Sequence, residues 1–231
     1  MSGRRDPPPP GARPRGRPAA GDPTTLTDEH LLDAALVAFA ERGYDGTSIR
    51  ELSRAVGVSH NLIPQRFGSK DQLWRAAIDH GFGRLLATLV ELDGGDDGSA
   101  GPDAADVGLD RLRELIVAFV EANAERPALL RIINQEAANP GPRLDHLFDS
   151  YIGPVRDFGT AVLEQLRLAG KVRSDSVTLL YFLMVHGVGG LYSLPGLAAR
   201  FGDDPAALSP EARRAHVRAA VDVLFDGLVE R

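Results

Sequence analysis

The sequence predicts an all-α protein in which a three-helix helix-turn-helix domain precedes a larger α-helical domain, about nine helices altogether. Three observations predict it. Apolar residues recur at i, i+3, i+4 and i+7 from Leu26 onward, and no run alternates apolar with polar as a half-buried strand requires. Helix-start and helix-stop residues punctuate these runs, Ser or Pro before and Gly after. The composition, 43% hydrophobic and 25% charged over 231 residues, is that of an ordinary globular chain long enough to bury a core.

Residues 1–25, rich in proline and arginine, offer no aromatic or branched aliphatic side chain to bury, so a disordered tail is expected there. Within it, Arg13-Pro14-Arg15-Gly16-Arg17-Pro18 resembles the core of an AT-hook, an extended Arg-Gly-Arg-Pro that lies in the narrow minor groove of A·T-rich DNA. A solvated basic tail accounts for the same residues.

Residues 26–74 carry the helix-turn-helix. Leu32, Ala35, Leu36, Phe39 and Ala40 share one face of a first helix that Gly43 ends. Thr47 or Ser48 caps the second helix, and Ser48 with Glu51 has capping-box spacing. Its buried stripe is Ile49, Leu52, Ala55 and Val56. Gly57, able to take positive φ, and Val58 lead to Ser59 as cap of a third helix. Two short helices on such a turn insert the residues after the second cap, here His60, Asn61 and Leu62, into a major groove. On this register Pro64 is the fifth helical residue and deletes the bond to the His60 carbonyl. In a regular helix that costs up to ~3 kcal/mol, so the third helix is expected to be kinked or barely two turns long.

Residues 75–231 form the second domain. The fourth helix opens at Ser69, again with Gln72 at capping-box spacing, and crosses the boundary through Leu73, Ala77, Leu85 and Leu89. A Gly/Asp-rich loop follows over 93–106. Five further helices are expected at 107–125, 127–138, 143–169 with a kink at Gly153-Pro154, 175–194, and 210–230 behind a Ser209 cap.

Charge is asymmetric. Residues 1–75 hold 11 basic and 9 acidic side chains and residues 76–231 hold 15 and 23, so a mildly basic front is the part suited to a polyanion. Zero cysteines exclude disulfides, Cys-ligated metal and a thiol nucleophile, and fit a reducing cytoplasm. No apolar run reaches membrane-spanning length, and the N-terminus lacks the apolar core of a secretory signal, so no membrane partner or export is expected. The motifs of hydrolases, nucleotide-binding loops and zinc enzymes are missing, and the six histidines lack ligand spacing. No catalysis, cofactor or metal is expected.

Three segments carry a resemblance. Phe39 to Ser48 (FAERGYDGTS), Ile49 to Ser59 (IRELSRAVGVS) and Phe67 to Trp74 (FGSKDQLW) closely resemble the N-terminal domain of the TetR family of transcriptional regulators, and Arg126 to Arg131 (RPALLR) and Pro142 to Phe148 (PRLDHLF) more faintly resemble segments of its ligand-binding domain. The resemblance implies a homodimer on a pseudo-palindromic double-stranded DNA operator, usually a repressor released by a small molecule, acting in the cytoplasm and on the nucleoid when bound. It places Arg50 towards a base or phosphate, where bidentate guanine contact is open to it. It makes Ser48 and Lys70 phosphate contacts at helix N-termini, and sets Gln65 and Arg66 against backbone or base. Where the family carries a tyrosine in the third helix this chain has Pro64, which donates no hydroxyl contact.

In the second domain, polar groups on apolar faces point to an effector pocket: Asn134, Gln135, Tyr151, Tyr181 and His186, with Phe119 among the apolar lining. Each also has an ordinary hydrogen-bonded structural reading. The mixed lining suggests a hydrophobic or amphipathic effector. Gly187, Gly189 and Gly190 permit close backbone approach, so residues 175–194 with 210–230 resemble the family's dimer-forming bundle. Pro64 and the acidic balance keep a second reading open, a sensor or scaffold of the same fold that reads little or no DNA sequence.

Overall fold

A computed structural model describes residues 27–92, 108–173, 176–202, 204 and 207–228; the tail and the Gly/Asp-rich loop lie outside these described residues. No strand forms among them.

The first four helices are α1 (Asp28–Gly46), α2 (Ile49–Ala55), α3 (Leu62–Phe67) and α4 (Lys70–Leu92). Thr27 caps α1 by accepting from the His30 N–H, and Leu31, Ala35, Leu36 and Phe39 form its buried face. Gly43, at φ 72°, breaks the regular helix as expected, although a last turn runs on to Gly46. The buried Thr47 hydroxyl fastens this end by donating to the Gly43 carbonyl at 2.7 Å. Ser48, not Thr47, caps α2, accepting from the Glu51 N–H. Ala55 is exposed rather than part of the buried stripe, and Ser53 is buried beside Leu52 in its place. The turn after α2 closes through Val58 N–H to the Ser53 carbonyl at 2.9 Å, with Gly57 at φ 72°, a Schellman-type end.

The third helix starts later than the Ser59 cap implies. Ser59 spends its hydroxyl on the Asn61 N–H in a turn, and the first helical bond runs from Gln65 N–H to the Asn61 carbonyl at 3.0 Å. Pro64 is therefore the third residue of α3 (Leu62–Phe67), where a helix N–H has no acceptor in its own helix. The expected loss of a bond to His60 does not occur, and the helix is short because it begins late. At the next junction Gln72 N–H donates to Ser69 Oγ (3.2 Å) and Ser69 N–H to Gln72 Oε1 (2.8 Å), a complete capping box at the head of α4.

The second domain contributes α5 (Leu109–Glu125), α6 (Pro127–Ala138), α7 (Pro142–Leu147), α8 (Gly153–Leu168), α9 (Val177–Phe182), α10 (Gly190–Ser193), α11 (Pro195–Ala198) and α12 (Pro210–Leu228). The kink expected at Gly153-Pro154 takes the form of a π-helical turn, Phe148–Ile152, joining α7 to α8. Pro154 cannot donate to the carbonyl four residues back, and the wider turn is closed from Gly153 N–H to the Phe148 carbonyl. The helix expected at 175–194 is likewise α9, a second π turn (Leu183–Val188) and α10. The short α11 with the 3-10 turn Ala199–Phe201 was not expected from the apolar pattern.

Two apolar clusters hold the molecule. One joins α1 to α4 with Leu129 and Ile132 of α6 and Leu147 of α7; the other joins α5, α8, the α9–α10 region and α12. The expected boundary after residue 74 falls inside α4, which is continuous. Trp74, Leu73 and Ile78 of α4 are buried against the first cluster, so this helix is packed by residues on both sides of that boundary.

Candidate nucleic-acid interface and ligand cleft

The exposed end of the small domain is built by α2, the turn into α3, and the head of α4. Ile63 at zero exposure anchors α3 from within, while Ser59, His60, Asn61 and Gln65 are exposed and Leu62 is half-buried. Arg50 stands exposed one residue inside α2, next to Ser48, whose side chain is already engaged as the α2 cap. The expected contact residues of α2, of the turn into α3 and of α3 itself are thus exposed or half-buried, above the buried Ile63.

Besides Ser48 and Ser59, whose hydroxyls accept from Glu51 and Asn61, Arg66 and Lys70 have protein partners. Arg66 pairs with Asp28 in the first turn of α1 at 2.8 Å, which ties the far end of α3 to the start of α1. Lys70 donates to the Asp45 carbonyl at 3.4 Å, and its ammonium lies 4.5 Å from the Tyr44 ring centre. The guanidinium of Arg143, from α7, lies 3.9 Å from the same ring, and Arg143 is held by the buried Glu136 at 2.9 Å. Tyr44 so links the foot of the small domain to α6 and α7 through cation–π contacts.

A second site lies between the two apolar clusters. A narrow cleft is lined by Phe82, Leu85 and Leu86 of α4, Phe119 and Asn123 of α5, Ile133, Tyr151, Ile152, Val155, Tyr181 and Val185. Both π turns contribute to its wall. Phe119, Tyr151 and Tyr181 are where the sequence placed them, but Asn134, Gln135 and His186 are not in the lining. Gln135 instead donates to the Ala40 carbonyl of α1 at 2.9 Å. His186 is exposed and stacks on Phe182, and Asn134 is half-buried on α6 away from the cleft wall.

Asn123 is the polar lining residue that sequence reading missed. It continues the apolar stripe Ile116, Phe119, Val120, and its amide donates to the Phe119 carbonyl at 2.7 Å. A polar side chain on such a stripe was a usable signal; the lining leucines and valines look the same in sequence as core. Tyr151 stacks on Phe82 with ring centres 4.4 Å apart. Its phenol is held well above the usual range by burial, and further by the Asp79 carboxylate to which it donates. Burial also raises the Tyr181 phenol. The cleft wall is therefore mainly apolar, with the hydroxyls of Tyr151 and Tyr181 and the amide of Asn123 among its lining groups.

Comparison with known proteins divides along the same line. The family model described as bacterial regulatory proteins, tetR family, matches residues 31–77. The HTH-type transcriptional repressor AcnR of Corynebacterium glutamicum is 36% identical over 73 residues, 32% of this chain and 39% of the repressor. The HTH-type transcriptional repressor Rv3405c of Mycobacterium tuberculosis is 45% identical over 60 residues, 26% of this chain and 31% of that one. The chain thus spans well under half the length of these relatives.

Over most of the chain the likeness is one of fold. The ketosteroid transcriptional regulator KstR2 of Mycobacterium tuberculosis aligns with a TM-score of 0.63 at 22% identity, covering 87% of this chain and 94% of that one. PfmR of Thermus thermophilus, described as a TetR family transcriptional regulator, aligns at 0.60 and 20% identity over 90% and 99%. Residues 31–77 thus match the tetR family of bacterial regulatory proteins in sequence, and the remaining helices match solved TetR-type regulators in fold.

Proposed function

We propose that the chain is a homodimeric transcriptional repressor that reads a pseudo-palindromic operator and leaves it when a hydrophobic or amphipathic molecule enters the cleft. It acts in the cytoplasm and carries out no catalysis. The observation that carries this reading is the α2–turn–α3 end: Arg50, His60 and Asn61 are exposed together on a module whose opposite side, Ile63, Leu73 and Trp74, is wholly buried. Rigid support beneath and hydrogen-bonding side chains above suit a helix to reading base edges. Ser48, Ser59, Leu62, Gln65, Arg66 and Lys70 complete the proposed contact set.

The dimer reading is supported by a row of exposed apolar side chains on the proposed interface helices: Leu179 (56%), Phe182 (54%) and Leu183 (42%) on α9 and its π turn, and Val223 (73%) on α12. A second copy presenting the same row would bury them isologously. The repressor reading leans on the likeness to AcnR and Rv3405c, both transcriptional repressors.

The test uses duplexes selected from a randomised pool. Arg50→Ala and Asn61→Ala each cost about 1–3 kcal/mol on the selected site and relax base preference there, whereas Lys70→Ala weakens all sequences alike. Equal losses on selected and random DNA for all three variants would contradict the assignment.

A further inference from the structure

One aromatic ring connects the large domain to the head of α4. Tyr44, in the last turn of α1, has the Lys70 ammonium 4.5 Å from its ring centre and the Arg143 guanidinium 3.9 Å from the same point. Its phenol ionises above the usual range, chiefly through burial and then through the charge of Asp71, so both cations meet a neutral ring and are held by its quadrupole. Two cations at one ring repel each other unless their charge is met elsewhere. Arg143 is met by Glu136, 2.9 Å away and 5% exposed. Lys70 is met by the Asp45 carbonyl at 3.4 Å, which takes one of its three donors and leaves two.

Lys70 is the half-buried side chain assigned above to a phosphate. A lysine on its flexible four-carbon stem loses rotamer freedom when it settles on one phosphate. Ring and carbonyl remove that freedom beforehand, so the contact forms with a smaller loss on binding. The contacts also continue inward. Arg143 opens α7, and Glu136 stands near the end of α6. Ile133, three residues before Glu136 and adjacent to it on the helix surface, lines the cleft.

We propose that Tyr44 is a positioning residue for the contact between Lys70 and phosphate, and that Arg143, anchored on Glu136, makes this position depend on α6 and α7 of the large domain. This rests on the DNA-binding reading above and adds a route by which the state of the cleft reaches the operator, because α6 carries both Ile133 of the cleft wall and Glu136.

The experiment measures affinity of the full chain and its variants for the selected site and for random duplex at several salt concentrations, with circular dichroism and thermal unfolding of each protein. Lys70→Ala removes one phosphate contact per half-site, with roughly a fivefold loss there on both duplexes and a slope of log affinity against log salt shallower by about 0.9. Tyr44→Leu, which removes the ring, is expected to lose about threefold or more on both duplexes and to make the slope shallower in the same direction. Tyr44→Phe, which keeps the ring, restores the values of the full chain. Adding Lys70→Ala to Tyr44→Leu costs clearly less than the sum, whereas Arg50→Ala adds in full. The Glu136→Gln/Arg143→Gln pair, which strands no buried carboxylate, reproduces the Tyr44→Leu loss and its non-additivity with Lys70→Ala.

Full additivity of Tyr44→Leu with Lys70→Ala, or an unchanged salt slope in Tyr44→Leu, would overturn the positioning role. A loss confined to the selected site would do the same, by assigning Tyr44 to the framework of the small domain. Should Tyr44→Leu unfold, the paired Gln variant decides: full-chain affinity and slope in that variant would overturn the inference. Losses in Arg50→Ala and Asn61→Ala beside an unchanged Lys70→Ala would overturn this inference alone. Failure of the full chain to select any motif would overturn the DNA-binding reading, and this inference with it.

Discussion

The Tyr151 phenol donates a 2.6 Å hydrogen bond to Oδ1 of Asp79, and Nε2 of His146 lies 2.9 Å from the same oxygen. Asp79 is on α4, whose head carries Lys70, while Tyr151 lines the cleft on the π turn before α8. A molecule entering the cleft meets a side chain bonded to the helix that supports the reading module. Gln135, bonded to the Ala40 carbonyl, makes a second tie from the large domain to α1.

The Tyr151–Asp79 contact is expected to show pairwise coupling. Tyr151→Phe and Asp79→Asn should each destabilise by about 1 kcal/mol, and the double variant by clearly less than the sum. Urea denaturation of the four proteins measures this. Strict additivity would mean that the bond contributes nothing in solution and that coupling travels by another contact.

All four tyrosines ionise above the ordinary phenol value, each chiefly because burial penalises the phenolate. Tyr151 adds its bond to Asp79, and Tyr44 adds the nearby charge of Asp71. A folded value above the unfolded one of about 10 leaves these groups' stabilisation whole below pH 10 and removes it as pH rises through the folded values. Absorbance at 295 nm should therefore rise at higher pH in the native protein than in guanidinium. A native tyrosine that titrates near 10 would contradict the burial described for it.

Gly68 joins α3 to α4 at φ 76°, and a Cβ there would collide with Oε1 of Gln72, the side chain of the capping box. Gly68→Ala should cost about 1–3 kcal/mol through backbone strain and a broken cap. Gly83, inside α4 with open space around it, is the control, and Gly83→Ala should stabilise by up to about 1 kcal/mol. Thermal unfolding of the two variants checks the opposite signs; similar shifts for both would refute the junction geometry.

The small domain was largely legible because its signals are local. Ser48 with Glu51, Gly57, and Ser69 with Gln72 act within three or four residues, and each does what its spacing implies. Ser59 misled because one hydroxyl can cap a helix or close a turn, and that choice moved Pro64 from a damaging position to a harmless one. The cleft was half legible. Tyr151 and Tyr181 stood out as polar groups on apolar helices, whereas Phe82, Leu85 and Val185 carry a pattern indistinguishable from core. Gln135 was placed in the pocket because its partner, a backbone carbonyl 95 positions away, leaves no trace in sequence.

The proposed dimer rests on Leu179, Phe182 and Leu183. Phe182→Glu puts a charge in the middle of that row and should convert a dimer to a monomer at micromolar concentration without loss of helix content, as read by sedimentation and circular dichroism. Phe201, 81% exposed in the 3-10 turn after α11, serves as the comparison site. An unchanged sedimentation coefficient for Phe182→Glu would remove α9 from the interface.

The central claim is that α2 and α3 read base sequence. Incubating the full chain with randomised duplex DNA, selecting bound molecules over several rounds at near-physiological salt, and sequencing them beside an Arg50→Ala/Asn61→Ala double variant tests it most directly. The account predicts a palindromic motif for the full chain that is lost in the variant. No enriched motif, or the same motif from both proteins, would contradict it.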